Sequence, residues 1–185
     1  MGCNITKGKK LLSCKNLTAG IKSIYLMNFL EGAFDGQTVS NEAGHELLST
    51  GLIPAASSAK FELRHTTNAF TQTQTFSEDN FTTMYSPSLT FVLPNLGKEM
   101  EYQFKMMAKG RPFLICKMNN GKHFIMGTEN GCQITGKSDL GGTIDGINGY
   151  TFTATAKESE PIYWLSAGAI EDLSSIVIDS WITED

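Results

Sequence analysis

No apolar run in the 185-residue chain approaches the roughly 20 residues that a membrane-spanning helix requires. No secretory signal opens it either, because KGKKLLSCK (7–15) breaks up any apolar stretch near the start. Both absences predict a soluble protein with no membrane partner. The four cysteines, Cys3, Cys14, Cys116 and Cys132, include no C-x-x-C pair, which argues against a zinc ribbon. A Cys3–Cys14 disulfide is open, but without a secretory signal reduced thiols are the expectation. His45, His65 and His123 lie far apart and lack ligand spacing, so they read as surface or sheet-face residues. An excess of positive charge is also missing. The formal net charge of −4 argues against a domain that grips nucleic acid, since such domains carry clustered basic residues.

Catalytic signatures are equally scarce. GKSDLGGT (136–143) has the glycines of a phosphate loop, but Gly142 stands where that loop needs its lysine. Asp139, Asp145 and Asn148 lack the alternating oxygens and final Glu of a calcium loop. Ser, His and Asp occur without a G-x-S-x-G elbow or another nucleophile motif. The sequence therefore nominates no catalytic residue, no cofactor-binding residue and no metal ligand. The expectation is a protein that is not an enzyme and needs no cofactor.

What the chain does contain is β-structure. Its 41% apolar and 18% charged residues are ordinary for one globular domain, which at this length buries roughly two thirds of its unfolded surface. Side chains alternate between faces along a strand, and GIKSIYLMNF (20–29) carries bulk on both faces, as a strand covered on each side would. Residues 58–93 string together three strand-like runs. Ala59, Phe61, Leu63 and His65 share one face of the first, and Leu89, Phe91 and Leu93 one face of the third. In the middle run Phe70, Gln72, Gln74 and Phe76 oppose Thr71, Thr73 and Thr75. That run is rich in β-formers yet too polar for a core, which suits pairing with another subunit's sheet. Phe70, Gln72, Thr73, Gln74, Thr75 and Phe76 are accordingly the expected subunit interface.

Leu96, Met100, Phe104 and Met107 form one apolar stripe and predict a helix over 95–109, with Asn95 as N-cap and Lys109, Gly110 and Pro112 as the stop. Strands at 112–118 and 122–128 flank Asn119-Asn120-Gly121, a hairpin signal. Further strands are read at 131–137 and 150–158, joined by a Gly-rich loop. Residues 30–57 read as a loop, with a short helical turn near 41–48. The tail beyond 160, with Trp164 and Trp181, is either an amphipathic helix or a docking strand. At the other end Met1-Gly2-Cys3-Asn4-Ile5-Thr6 matches a myristoylation pattern beside a palmitoylatable cysteine and KGKK. Its bland alternative is an N-terminal arm with solvated lysines. The sequons at Asn4, Asn16 and Asn80 mean little without a secretory signal.

The opening GCNITKGKKLLSCKNLTAGIKSIYLMNF, the block KGRPFLICKMNNGKHFIMGTENG and the closing GTIDGINGYTFTATAKESEP resemble virion structural proteins of tailed bacteriophages, notably crAss-like and related phages of gut Bacteroidales. The resemblance covers about residues 2–160. It implies a tail-tube-like or head-to-tail joining protein: a mainly β (α+β) fold, an antiparallel β-barrel or sandwich with one flanking helix and a projecting β-hairpin. On that plan Leu96–Lys109 is the helix and Thr66–Tyr85 the projecting hairpin. Residues 1–160 form the domain, with an arm at 1–19 and the loop at 30–57, and 161–185 is an extension docking in cis or on a neighbour. The implied function is a ring of the tail or neck, made in the host bacterial cytoplasm and placed in the virion. The implied partners are copies of itself in a closed ring, six- or twelve-fold, and adjacent virion proteins. DNA passes through the ring without specific binding, which the acidic balance suits. Two alternatives stand beside it: a glycan- or surface-binding β-sandwich using Tyr85, Trp164 and Trp181 as stacking platforms, and a lipid-anchored peripheral protein.

Overall fold

Thirteen elements follow one another in the computed structural model, which describes residues 7–9, 18–41, 44–47, 58–63 and 68–175. They are β1 (Ile21–Met27), β2 (Thr38–Asn41), β3 (Gly44–Leu47), β4 (Ser58–Glu62), β5 (Ala69–Ser77), β6 (Thr82–Pro94), α1 (Lys98–Lys109), β7 (Phe113–Met118), β8 (His123–Met126), β9 (Gln133–Leu140), β10 (Asn148–Thr155), β11 (Tyr163–Leu165) and α2 (Ala167–Ser175). The strands make two open sheets: a seven-stranded one in the order β2-β3-β11-β8-β7-β1-β4, and a four-stranded one in the order β5-β6-β10-β9. Neither closes on itself among the described residues, so of the barrel and the sandwich it is the sandwich class that fits. All strand pairings are antiparallel except β11 with β3.

β1 shows why the larger sheet is central. Ile24 and Leu26 enter the core between the sheets, while Tyr25 and Met27 enter a second cluster on the opposite face. Burial on both faces is what its unbroken bulk predicts. The inter-sheet core joins Leu114, Cys116, Phe124 and Met126 to Leu89, Phe91, Tyr150 and Phe152 of the smaller sheet, with Met100 and Met107 of α1 alongside. The second cluster holds Phe113, Ile115 and Ile125 under Phe34, Ala169 and Leu173. Stacking Phe91 on Phe152 at 5.2 Å, and Phe104 edge-on to Phe152 at 5.3 Å, fixes α1 to the smaller sheet.

The apolar stripe of α1 packs as its spacing predicts, but its start differs. The helix begins at Lys98 behind Gly97, with no side-chain cap, and Asn95 takes a positive φ of 72°. The N–H groups of the three residues before the helix bond to β10. Asn95 donates to the Asn148 carbonyl at 2.9 Å, Leu96 to the Asn148 side chain at 3.3 Å, and Gly97 to the Tyr150 hydroxyl at 3.3 Å. The neighbouring strand thus fixes the entry of the chain into the helix. The hairpin β7–β8 turns at Asn119–Gly121 as expected, with Gly121 at φ 85°.

Two further corrections concern connections. Where a loop with a helical turn near 41–48 is expected, β2 and β3 pair as antiparallel strands. Their partner is β11, far along the chain, and His45 stacks on Tyr163 at 4.0 Å while Leu47 is buried. The described part of the tail, up to residue 175, contains both a strand and a helix: β11 inserts in cis between β3 and β8, and α2 follows it. The myristoylation pattern at 1–6, Cys14, Trp181 and residues 42–43 and 48–57 of the loop lie outside the described residues. Among the described residues no helix is long and apolar enough to cross a membrane.

Candidate assembly edge

β5 and β6 pair without a register break from Ala69–Thr90 to Ser77–Thr82. β6 pairs with β10 only from Ser88 to Pro94. Beyond Ser88 the Ala156 N–H donates to the Pro87 carbonyl at 3.1 Å, and a bridge of Tyr85 with Glu158 holds the hairpin from the side. Thr82–Met84 and the strand facing them therefore have only each other, and project about 10 Å past that bridge at the rise of a β-strand. The polar middle run is an edge strand on a projecting ribbon.

The six expected interface residues divide along it. Phe70 is half-buried and turned inward, its ring 4.6 Å from that of Phe124 in the other sheet. The Gln72 side-chain oxygen accepts the Ile162 N–H at 3.1 Å. These two hold the ribbon to its own protein. Thr73, Gln74, Thr75 and Phe76 lie farther out and are exposed. The Thr75 hydroxyl donates to the Met84 carbonyl at 3.4 Å across the ribbon, and Phe76 is 60% exposed. The first and third runs of 58–93 separate: β4 pairs with β1 in the larger sheet, whereas β6 belongs to the smaller.

Nothing among the described residues pairs with the outer edge of β5. Edge strands are ordinarily blunted by Lys, Pro, a bulge or a cover. The nine residues AFTQTQTFS contain no charge and no proline, and the pairing shows no bulge. The far face of the smaller sheet is lined with hydroxyls. Cross-strand rows there read Ala69, Thr90, Thr153, Thr135 and Thr71, Ser88, Thr155, Gln133. Thr90 and Thr153 hydroxyls sit 3.4 Å apart, and the charges Lys137 and Asp139 pair with one another at 3.2 Å.

The ribbon ends in a turn over 78–81. Phe81 there has φ 51° and is 86% exposed. A non-glycine residue in that region costs roughly 1–2 kcal/mol, so the turn presents a phenylalanine to solvent at a conformational penalty. The sequence pattern left Phe81 in a polar connection; its signal was an aromatic placed where glycine or asparagine is favoured.

At the ribbon's root Glu158 accepts the Tyr85 N–H at 2.8 Å and donates its own N–H back at 3.0 Å. Its carboxyl is 1% exposed and accepts the Thr128 hydroxyl at 3.4 Å. Burial pushes its pKa up to about 7, the Glu129 carboxylate adds to the rise, and the nearby N–H groups of Glu129 and Thr128 oppose it. Glu129 itself accepts the N–H and hydroxyl of Ser159. Burial likewise pushes the Cys116 and Cys132 thiols up and the His123 imidazole down. A thiol held protonated is a poor nucleophile. Among the described residues no group of three His, Cys, Asp or Glu comes together as a metal site would require. Of the stacking residues considered for glycans, Tyr85 and Trp164 lie in different sheets, and Trp164 is spent on an edge contact with Phe124 at 5.8 Å.

No protein-family model, curated protein or solved structure matches the chain.

Proposed function

We propose that the protein is a structural subunit that assembles with copies of itself through the edges of its four-stranded sheet, forming a ring of the tail or neck of a tailed bacteriophage. The observation carrying this is the edge of β5, with which no strand among the described residues pairs. A bare, uncharged strand of nine residues is a liability in a monomer and an asset in an assembly. The far edge of the same sheet is β9. Four strands, each antiparallel to the next, leave β5 and β9 running in opposite directions. When β9 of one copy meets β5 of the next, the antiparallel alternation continues unbroken. Such a contact joins two different surfaces and is heterologous, so it closes into a ring if the rotation allows. The concave or convex face of the continued sheet would carry the threonine rows. A neutral hydroxyl lining suits a channel for DNA, because affinity for duplex comes chiefly from neutralising phosphates.

The test introduces charge on the edge. Thr73→Lys with Thr75→Lys places two ammonium groups on an exposed strand without touching the core. The native chain should form particles of several copies as concentration rises, visible as rings by electron microscopy and as multiples of the 20.2 kDa chain mass by mass photometry. The double variant should keep its circular dichroism spectrum and remain monomeric. A native chain that stays monomeric at millimolar concentration sinks the reading, as do rings that form equally well from the variant.

A further inference from the structure

The ribbon tip and the outer face of α1 are complementary surfaces on one chain. At the tip, exposed Phe76 and Phe81 flank Glu78 and Asp79. Neither acid has a basic partner in an ion pair among the described residues. On α1, the apolar stripe faces inward, so Lys98, Tyr102, Lys105 and Lys109 fall on the opposite face at i, i+4, i+7 and i+11. Tyr102 is 59% exposed and Met106, beside it, 41%. None of the three ammonium groups has an acidic partner among the described residues. The acid at Glu101 is turned away from this stripe, its carboxylate accepting the Tyr150 hydroxyl at 3.2 Å. The helix thus offers two apolar side chains among lysines, and the tip offers two apolar side chains beside carboxylates.

The two surfaces cannot meet within one molecule. α1 lies over β9, at the opposite edge of the small sheet from β5. Three inter-strand spacings separate those edges, roughly 14 Å, and the tip projects beyond the end of β10 that lies farther from the start of α1. Only another copy can bring them together.

We propose that the 76–81 tip of one copy docks on the Lys98–Tyr102–Lys105–Lys109 stripe of α1 in a second copy. Phe81 and Phe76 cover Tyr102 and Met106, and Glu78 and Asp79 face the lysines. This contact is separate from the β5–β9 edge, though it rests on the same reading that copies of the chain associate. It links tip to helix, two different surfaces, and is therefore also heterologous. Opposed charges at an exposed rim act mainly on association rate and salt dependence. The contact should weaken as salt rises, whereas the strand edge should not.

The experiment places the photo-crosslinking residue benzoylphenylalanine at position 81 of the full chain and maps products by mass spectrometry. Crosslinks between chains should land within 98–109. Charge reversal supplies the second arm. Glu78→Lys with Asp79→Lys, and Lys98→Glu with Lys105→Glu and Lys109→Glu, should each lower the crosslink yield at least tenfold. Mixing the two variants should restore it. Phe81→Gly, which relieves the turn and so leaves folding intact, should reduce association without any charge change. Crosslinks confined to other segments overturn the proposal. So do charge variants that associate like the native chain while Thr73→Lys with Thr75→Lys abolishes rings; that result leaves the edge reading standing alone. A tip crosslink that persists in the strand-edge variant supports the proposal, because the tip contact is separate from the edge. A native chain giving neither particles nor crosslinks overturns both.

Discussion

Glu158 is the one carboxylate that the fold buries at the point where the ribbon is held. Its folded pKa of about 7 stands above the ordinary value of 4.5 because burial disfavours the charge. Between those two pH values the folded protein holds more protons than the unfolded chain, so stability falls as pH rises through that window and levels off above it. The full loss amounts to about 3 kcal/mol. Glu129 faces it, and Tyr163 and Cys132 lie near enough to feel its field. Glu158→Gln keeps the shape and removes the charge. The variant should match the native protein near pH 4.5 and melt several degrees higher at pH 8. Thermal melts across that range decide it, and parallel curves for the two proteins would refute the assignment. The backbone clamp between Glu158 and Tyr85 ties this residue to the ribbon, so ionisation should loosen the root of the assembly edge first.

Elements were legible in the sequence where their stabilising partners are close by in the chain. The α1 stripe, the Asn-Gly turn of β7–β8 and the Thr/Gln hairpin all carry their own periodicity or turn chemistry, and all three form. The 38–47 hairpin was hidden because its sheet partner, β11, arrives more than a hundred residues later, and no local pattern marks a short strand paired across that span. Asn95 misled for a similar reason: Asn148 and Tyr150 supply the helix start from another strand. The site was half legible. The alternation of 70–76 exposed a strand unsuited to a core, but not that Phe70 would stack on Phe124 or that Gln72 would accept from Ile162. The seating of α1 depends on a missing side chain that the sequence alone could not explain. Gly136 lies opposite Phe152, and a Cβ there would fall 2.6 Å from the Phe152 ring and 3.1 Å from that of Phe104. Gly136→Ala should therefore push α1 from the sheet and cost about 1–3 kcal/mol in denaturant unfolding. Gly142→Ala meets nothing within 4 Å and should stay within about 0.5 kcal/mol of the native protein. Equal effects from the two would disprove the packing role.

At the scale of the whole molecule, the two faces of the small sheet divide its work. One face joins the inter-sheet core through Leu89, Phe91 and Phe152; the other carries threonine and serine rows, and the Lys137 and Asp139 charges of β9 pair with each other. If edge-to-edge association bends this sheet around an axis, the hydroxyl face can line the channel while the helix and the seven-stranded sheet stay outside. A lining of hydroxyls offers hydrogen bonds to phosphate but no cations, and each cation that neutralises a phosphate steepens the dependence of log affinity on log salt by about 0.9. Assembled native protein should therefore leave duplex DNA unretarded in gel-shift assays at 150 mM salt, consistent with its net charge of −4. Thr153→Lys places one ammonium in the middle of this face in every copy, beside Thr90 and Thr135, and a ring multiplies it by its copy number. The assembled variant should retain DNA, with retention collapsing as salt rises, whereas the same variant held monomeric by the Thr73→Lys and Thr75→Lys changes should bind far more weakly. Strong, salt-sensitive binding by the native assembly would contradict a neutral channel. Equal binding by the assembled and monomeric lysine variants would contradict the placement of this face inside a ring, because only closure gathers the added charges onto one duplex.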